Sequence, residues 1–81
     1  MSYWVYIVCC CDGSLYTGST HDLDRRIEEH NHSPKAARYT KNRRPVELVY
    51  SENCATWGTA LSREAEIKRL SRDQKKRLFV K

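Results

Sequence analysis

The stretch from Tyr3 to Cys11 is an almost continuous apolar run, and Asp12-Gly13 follows it at once. A short apolar run bounded by a turn signal reads as a buried strand. Asp-Gly is a hairpin turn signal, and Ser14 to Gly18 then reads as the returning strand. A hairpin pairs antiparallel, so any sheet built on this chain is mixed or antiparallel.

The hairpin register decides where its tyrosines point. If Asp12-Gly13 alone is the loop, Cys9 faces Tyr16, and Tyr6 lies on the other side of the sheet. If the loop is Cys11-Asp12-Gly13, with Gly13 left-handed, Val8 faces Tyr16 and Tyr6 shares their face. Propensity leaves both open. The three-residue loop is the expectation, because it puts both phenols on one surface, toward Arg26, His30 and Glu64. Two core tyrosines are the plainer alternative, and a buried phenol still needs a hydrogen-bond partner.

Ser19-Thr20-His21-Asp22 has capping-box spacing, with Asp in place of Glu or Gln, and predicts a helix to about Asn31, ahead of Pro34. Residues 33–45 read as mostly loop. They hold Lys35, Arg38, Lys41, Arg43 and Arg44 and no acid. Val46 to Tyr50 is a third strand by its β-branched and aromatic content. A turn around Asn53 to Gly58 leads to a helix from about Thr59 to Leu70. Ser71 to Gln74 is a second capping box, opening a last short helix toward the C-terminus. The expected fold is α+β, a small three-stranded, mainly antiparallel sheet flanked by helices in the order β-β-α-β-α-α. The 81 residues leave room for one core, hence one domain over 1–81.

In the first helix Leu23, Arg26, Ile27 and His30 form one stripe. Leu23 and Ile27 pack on the sheet, so Arg26 and His30 lie on or beside the packed face. A guanidinium there needs an anion. An internal salt bridge, for instance with Glu64, is one option; a substrate phosphate is the other. His30 is either structural or a partner to Arg26. In the second long helix Trp57, Ala60, Leu61 and Ile67 all project within about 60° of Glu64 at about 100° per residue. Glu64 is therefore centred in an apolar stripe and must be paired or bound to a metal, whereas Glu66 faces solvent.

The net charge of +5 gains meaning from its placement. Lys68, Arg69, Arg72, Lys75, Lys76, Arg77 and Lys81 follow Glu64, and with the 35–44 segment they offer either a solvated face or a phosphate-attracting flank. The chain has four cysteines. Cys9, Cys10 and Cys11 are adjacent, which is no disulfide framework, and no C-x-x-C or H-x-x-x-H pair anchors zinc. Reduced thiols fit the cytoplasm. No apolar run reaches the roughly 20 residues of a membrane span, and no signal-peptide pattern opens the chain.

These residues together resemble the GIY-YIG nuclease superfamily over nearly the whole chain, and especially its small stand-alone bacterial members. Trp4-Val5-Tyr6 corresponds to the first naming motif and Tyr16-Thr17-Gly18 to the second. Gly18-Ser19-Thr20, Asp22-Leu23, Arg25-Arg26 and His30 match the family's helix, and Ala60 to Lys68 its metal-binding helix. Trp4 and Thr17 replace a Gly and an Ile, and the Asn that many members place after the metal-binding helix has no clear counterpart beyond Leu70.

The resemblance implies hydrolysis of DNA phosphodiesters with one divalent cation, Mg²⁺, held by Glu64. It implies structure-selective rather than sequence-selective action. Tyr6 would orient or deprotonate the attacking water beside Tyr16, Arg26 would neutralise charge at phosphorus, and His30 would take or relay the proton. Lys35, Arg38, Lys41, Arg43, Arg44 and Lys68 are the expected nucleic-acid contacts. No membrane and no obligate protein partner are expected. A nucleic-acid-binding module that keeps the fold with weak or no catalysis is the alternative, and a scaffold domain is a third reading.

Overall fold

A computed structural model describes residues 2–80. The order is β1 (Tyr3–Cys9), β2 (Leu15–Thr20), α1 (Leu23–His32), α2 (Arg38–Lys41), β3 (Glu47–Cys54), α3 (Trp57–Lys68) and α4 (Arg72–Lys76). The sheet runs β2-β1-β3, and both pairings are antiparallel. The central place of β1 explains its unbroken apolar run: both of its faces are covered. Val5 and Ile7 pack with Ala60 and Ile67 of α3 on one face. Tyr6 and Val8 pack with Leu23 and Ile27 of α1 on the other.

The hairpin takes the three-residue loop. Val8 pairs with Tyr16 and Cys9 with Leu15. The Cys10 amide donates to the Ser14 carbonyl at 2.8 Å, and the Gly13 amide to the Cys10 carbonyl at 2.9 Å. Gly13 has φ 84°, the left-handed conformation that closes such a loop without steric cost. Asp12 stiffens the turn by accepting from the Ser14 amide at 3.0 Å.

Three local expectations are corrected. The first capping box is displaced: Ser19 stays in β2, opposite Val5, and Asp22 caps α1 by accepting from the Arg25 amide at 3.2 Å. The 33–45 segment is not mostly loop around its middle, because α2 forms there and the order becomes β-β-α-α-β-α-α. Its N-cap residue, Ala37, offers no side-chain cap. The turn is held by the buried Thr40, whose amide and hydroxyl both donate to the Ala37 carbonyl. A single turn fixed from inside leaves no propensity signal.

The third correction lies between β3 and α3. The strand continues through Glu52 and Asn53, because pairing with Val5 and Trp4 outweighs their weak strand propensity. The helix starts at Trp57, capped by Thr56 through the Thr59 amide at 3.1 Å. The second capping box stands as expected, with Ser71 and Gln74 each satisfying the other's amide. Cys9, Cys10, Cys11 and Cys54 are free thiols. Among the described residues, no helix is long and apolar enough to cross a membrane.

Candidate active site

Tyr6 and Tyr16 lie on the α1 face of the sheet, as the register requires. Tyr6 stands directly across from Gly18. A Cβ at position 18 would sit 2.5 Å from the Tyr6 hydroxyl, 2.7 Å from its Cζ and 3.2 Å from Tyr16 Cε2. The Tyr6 ring therefore lies over the bare backbone of β2, and glycine is the residue that admits it.

The Tyr6 hydroxyl is 2.7 Å from His30 Nε2, and both side chains are buried. On its other side, His30 Nδ1 is 2.7 Å from Thr40 Oγ1. Tyr16 meets the same imidazole edge-on, with ring centroids 5.4 Å apart, and stacks on Tyr39 at 5.8 Å. Burial pushes the Tyr6 phenol up to about 12; the Arg26 guanidinium draws it down, while Tyr16 and Glu64 add to the rise. Burial pushes His30 down to about 4, with Arg26 acting the same way, Glu29 opposing and Arg44 adding to the fall. At neutral pH the pair is therefore a neutral phenol beside a neutral imidazole.

Arg26 does not bridge to Glu64. Its Nη1 donates to Glu29 at 3.0 Å and to the Lys35 carbonyl at 3.1 Å. Glu29 sits three residues on, one helical turn away, and Arg26 holds its carboxyl below the usual range. An open cleft beside the pair is lined by Thr20, His21, Asp22, Arg25, Arg26 and Glu29.

Glu64 reaches the site from the other side of the sheet. Its helix packs with Val5 and Ile7, and Ser19, on that same face of the edge strand β2, donates its hydroxyl to Glu64 Oε1. Lys68 Nζ lies 2.7 Å from Oε2. The expectation that Tyr6 and Tyr16 share a face toward Arg26, His30 and Glu64 is corrected for Glu64: the other four lie on the α1 face, and Glu64 comes in beside β2. Its charge still weighs on the Tyr6 phenol. The apolar stripe around it is also narrower than expected. Ala60 and Ile67 are buried, but Trp57 is 41% exposed and Leu61 45%.

The basic residues separate into two groups. Lys35, Arg38 and Lys41 are exposed. Arg43 pairs with Asp12 at 3.1 Å and lies over the Tyr39 ring at 4.1 Å. Arg44 donates to the His30 carbonyl at 2.7 Å and to the Ser33 carbonyl, which closes the C-terminal end of α1. Lys68 neutralises Glu64. These last three, expected to face phosphate, have protein partners instead.

Ser19, Glu29 and Thr40 escaped the sequence reading. Glu29 had a signal, its spacing of three from Arg26 on one helix. Ser19 had one in its strand parity. Thr40 had none, since it belongs to the turn that propensity does not show.

Glu64 suits Mg²⁺. The ion prefers hard oxygen ligands, takes one or two carboxylates and keeps several waters. Among the described residues, no cluster of three or more His, Cys, Asp or Glu could hold a metal. The Lys68 ammonium on Oε2 marks where a cation is stabilised, and its side chain is 52% exposed.

A profile of the GIY-YIG catalytic domain matches residues 2–77. A UPF0213 protein of Desulfotalea psychrophila is 54% identical over 77 residues, covering 95% of this chain and 70% of that one. A UPF0213 protein of Staphylococcus aureus is 54% identical over 78 residues, covering 96% and 94%. Among solved structures, the solution NMR structure of a UPF0213 protein from Bacillus halodurans superposes with a TM-score of 0.61 at 46% identity, over 96% of this chain and 82% of that one. A protein from E. faecalis gives 0.63 at 37% identity, over 96% and 83%.

Proposed function

This chain belongs to the GIY-YIG family, and on that premise we propose that it is a metal-dependent endonuclease acting on DNA, selective for structure rather than sequence. The observation that carries the reading is the buried Tyr6–His30 hydrogen bond, with Tyr16 and Arg26 on the same face. A phenol paired to an imidazole beside a guanidinium joins a proton path to an anion site.

In this reading Arg26 binds a non-bridging phosphate oxygen and neutralises charge as it builds at phosphorus. Phosphate displaces Glu29 from the guanidinium, and Glu29 returns when product leaves. Tyr6 positions the attacking water. It accepts that water's proton on its oxygen as it passes its own to His30 Nε2, so no free phenolate is required. Burial is the main reason His30 resists a proton; phosphate on Arg26 offsets the smaller part that the guanidinium adds. Glu64 would hold the divalent cation, which when bound stabilises the departing oxygen. Lys35, Arg38 and Lys41, all exposed, would serve as phosphate contacts. The free thiols suit a reducing compartment such as the cytoplasm.

A binding module is the second reading, favoured by one observation: Arg26 and Glu64 each already hold an ion-pair partner. Branched, single-stranded and duplex DNA, each incubated with Mg²⁺ and with chelator, separate the two. Metal-dependent cleavage of at least one substrate supports the enzyme. Salt-sensitive binding to all three without cleavage supports the module.

A further inference from the structure

We propose that Thr40 is a positioning residue that fixes the tautomer of His30, so that a lone pair of the imidazole always faces Tyr6. The proposal rests on the nuclease reading for its role in the reaction, but the hydrogen bonds that carry it stand independently.

The argument begins at the phenol. Tyr6 is buried and has one hydrogen to place. Arg26, the charged group beside it, only donates. The acceptor within reach among the described residues is His30 Nε2, 2.7 Å away. In the proposed arrangement Tyr6 donates to that nitrogen, which is unprotonated, and the phenol oxygen keeps its lone pairs for the attacking water.

A neutral imidazole carries one N–H, so the proton is on Nδ1. Nδ1 lies 2.7 Å from Thr40 Oγ1, which accepts it. The Thr40 hydroxyl then places its own hydrogen on the Ala37 carbonyl, 3.1 Å away. The chain runs one way: Tyr6 to His30, His30 to Thr40, Thr40 to the backbone. Thr40 and His30 are both fully buried, so water does not substitute for either partner.

The direction matters for chemistry. As water attacks phosphorus, its O–H bond breaks and a new O–H forms on Tyr6. The original Tyr6 O–H breaks and an N–H forms on Nε2, giving an imidazolium. Thr40 oxygen then faces the positive ring and keeps its Nδ1–H bonded. The water oxygen's pair forms the new P–O bond, and the leaving oxygen departs with the pair from the old one. In the other tautomer Nε2 already bears hydrogen and has no room for the Tyr6 proton. This also gives α2 a purpose, since that single turn places Thr40 under the ring.

The test is the tautomer itself, read from long-range ¹H–¹⁵N NMR correlations of histidine-labelled protein near neutral pH. Wild type should show His30 protonated on Nδ1 and bare on Nε2. Thr40→Val keeps the shape but removes the acceptor. It should move His30 toward the Nε2–H form and slow cleavage roughly tenfold or more with KM little changed. Thr40→Ser should restore both signals. Nε2–H in wild type overturns the proposal, whether or not any variant folds. So does a Thr40→Val protein with the wild-type signature and rate. The expected spectra in a protein that cleaves no DNA contradict the nuclease reading and uphold the tautomer assignment.

Discussion

Tyr6 Oη lies 2.7 Å from His30 Nε2, and this bond joins the central strand to the helix packed on its face. Tyr6→Phe keeps the ring and removes the bond. It leaves a buried nitrogen unsatisfied, which costs about 1–3 kcal/mol in denaturant unfolding. It should also slow cleavage roughly 10²-fold or more, the scale of a positioned acid–base group. A variant as stable and as active as wild type would show that the bond does neither job.

Gly18→Ala should be worse for stability than its size suggests. The added methyl meets Tyr6 Cζ at 2.7 Å, an atom the phenylalanine ring also has. Overpacking of this kind costs about 1–3 kcal/mol, and Tyr6→Phe should not rescue it. Melting curves of the single and double variants decide this. Rescue by Tyr6→Phe would place the conflict at the hydroxyl alone.

Thr17 provides a stabilising change. Its hydroxyl is buried, on the α3 face, without a hydrogen-bond partner among the described residues. Thr17→Val removes the orphan and keeps the shape, so unfolding free energy should rise by about 1 kcal/mol. Unchanged or lower stability would mean that the hydroxyl is satisfied by a buried water.

Stability should fall on mild acidification because of His30. Its folded value is pushed from the ordinary 6.5 to about 4. Between those two values the unfolded chain binds a proton that the folded protein does not. Stability from this group is therefore complete above the unfolded value and is lost as pH falls toward the folded one, by up to about 3 kcal/mol. Urea unfolding at pH 7, 5.5 and 4.5 measures it, and His30→Gln should flatten the slope. An equal slope in that variant would assign the loss to other groups.

Glu29→Gln should free Arg26. The pair is a partly exposed surface bridge, so stability should change by about 1 kcal/mol or less. DNA affinity at low salt should rise, because phosphate no longer competes with a carboxylate. Weaker binding would make Glu29 a support for Arg26 rather than its competitor.

Much of this site was legible before the fold. The run ending in Asp12-Gly13 announced the hairpin, and a glycine able to take φ 84° placed Tyr6 and Tyr16 on one face. The stripe Leu23, Arg26, Ile27, His30 announced which residues meet them. What stayed hidden is long-range. Ser19 read as a cap because S-x-x-D is local, while its real partner, Glu64, is 45 residues away. Arg44 read as a phosphate contact because charge is visible and a helix's open carbonyls are not. Thr40 lay in a turn whose stability comes from the ring it supports. The face of Glu64 was misjudged because helical periodicity fixes a direction around the helix and says nothing about which side of the sheet the helix covers.

The most direct test compares single-turnover cleavage of one branched DNA by wild type, Tyr6→Phe and Glu64→Gln, each with Mg²⁺ and each confirmed folded. Metal-dependent cleavage by wild type that falls roughly 10²-fold or more in both variants is the predicted result. Equal rates in all three would contradict a nuclease site built on Tyr6, His30, Arg26 and Glu64.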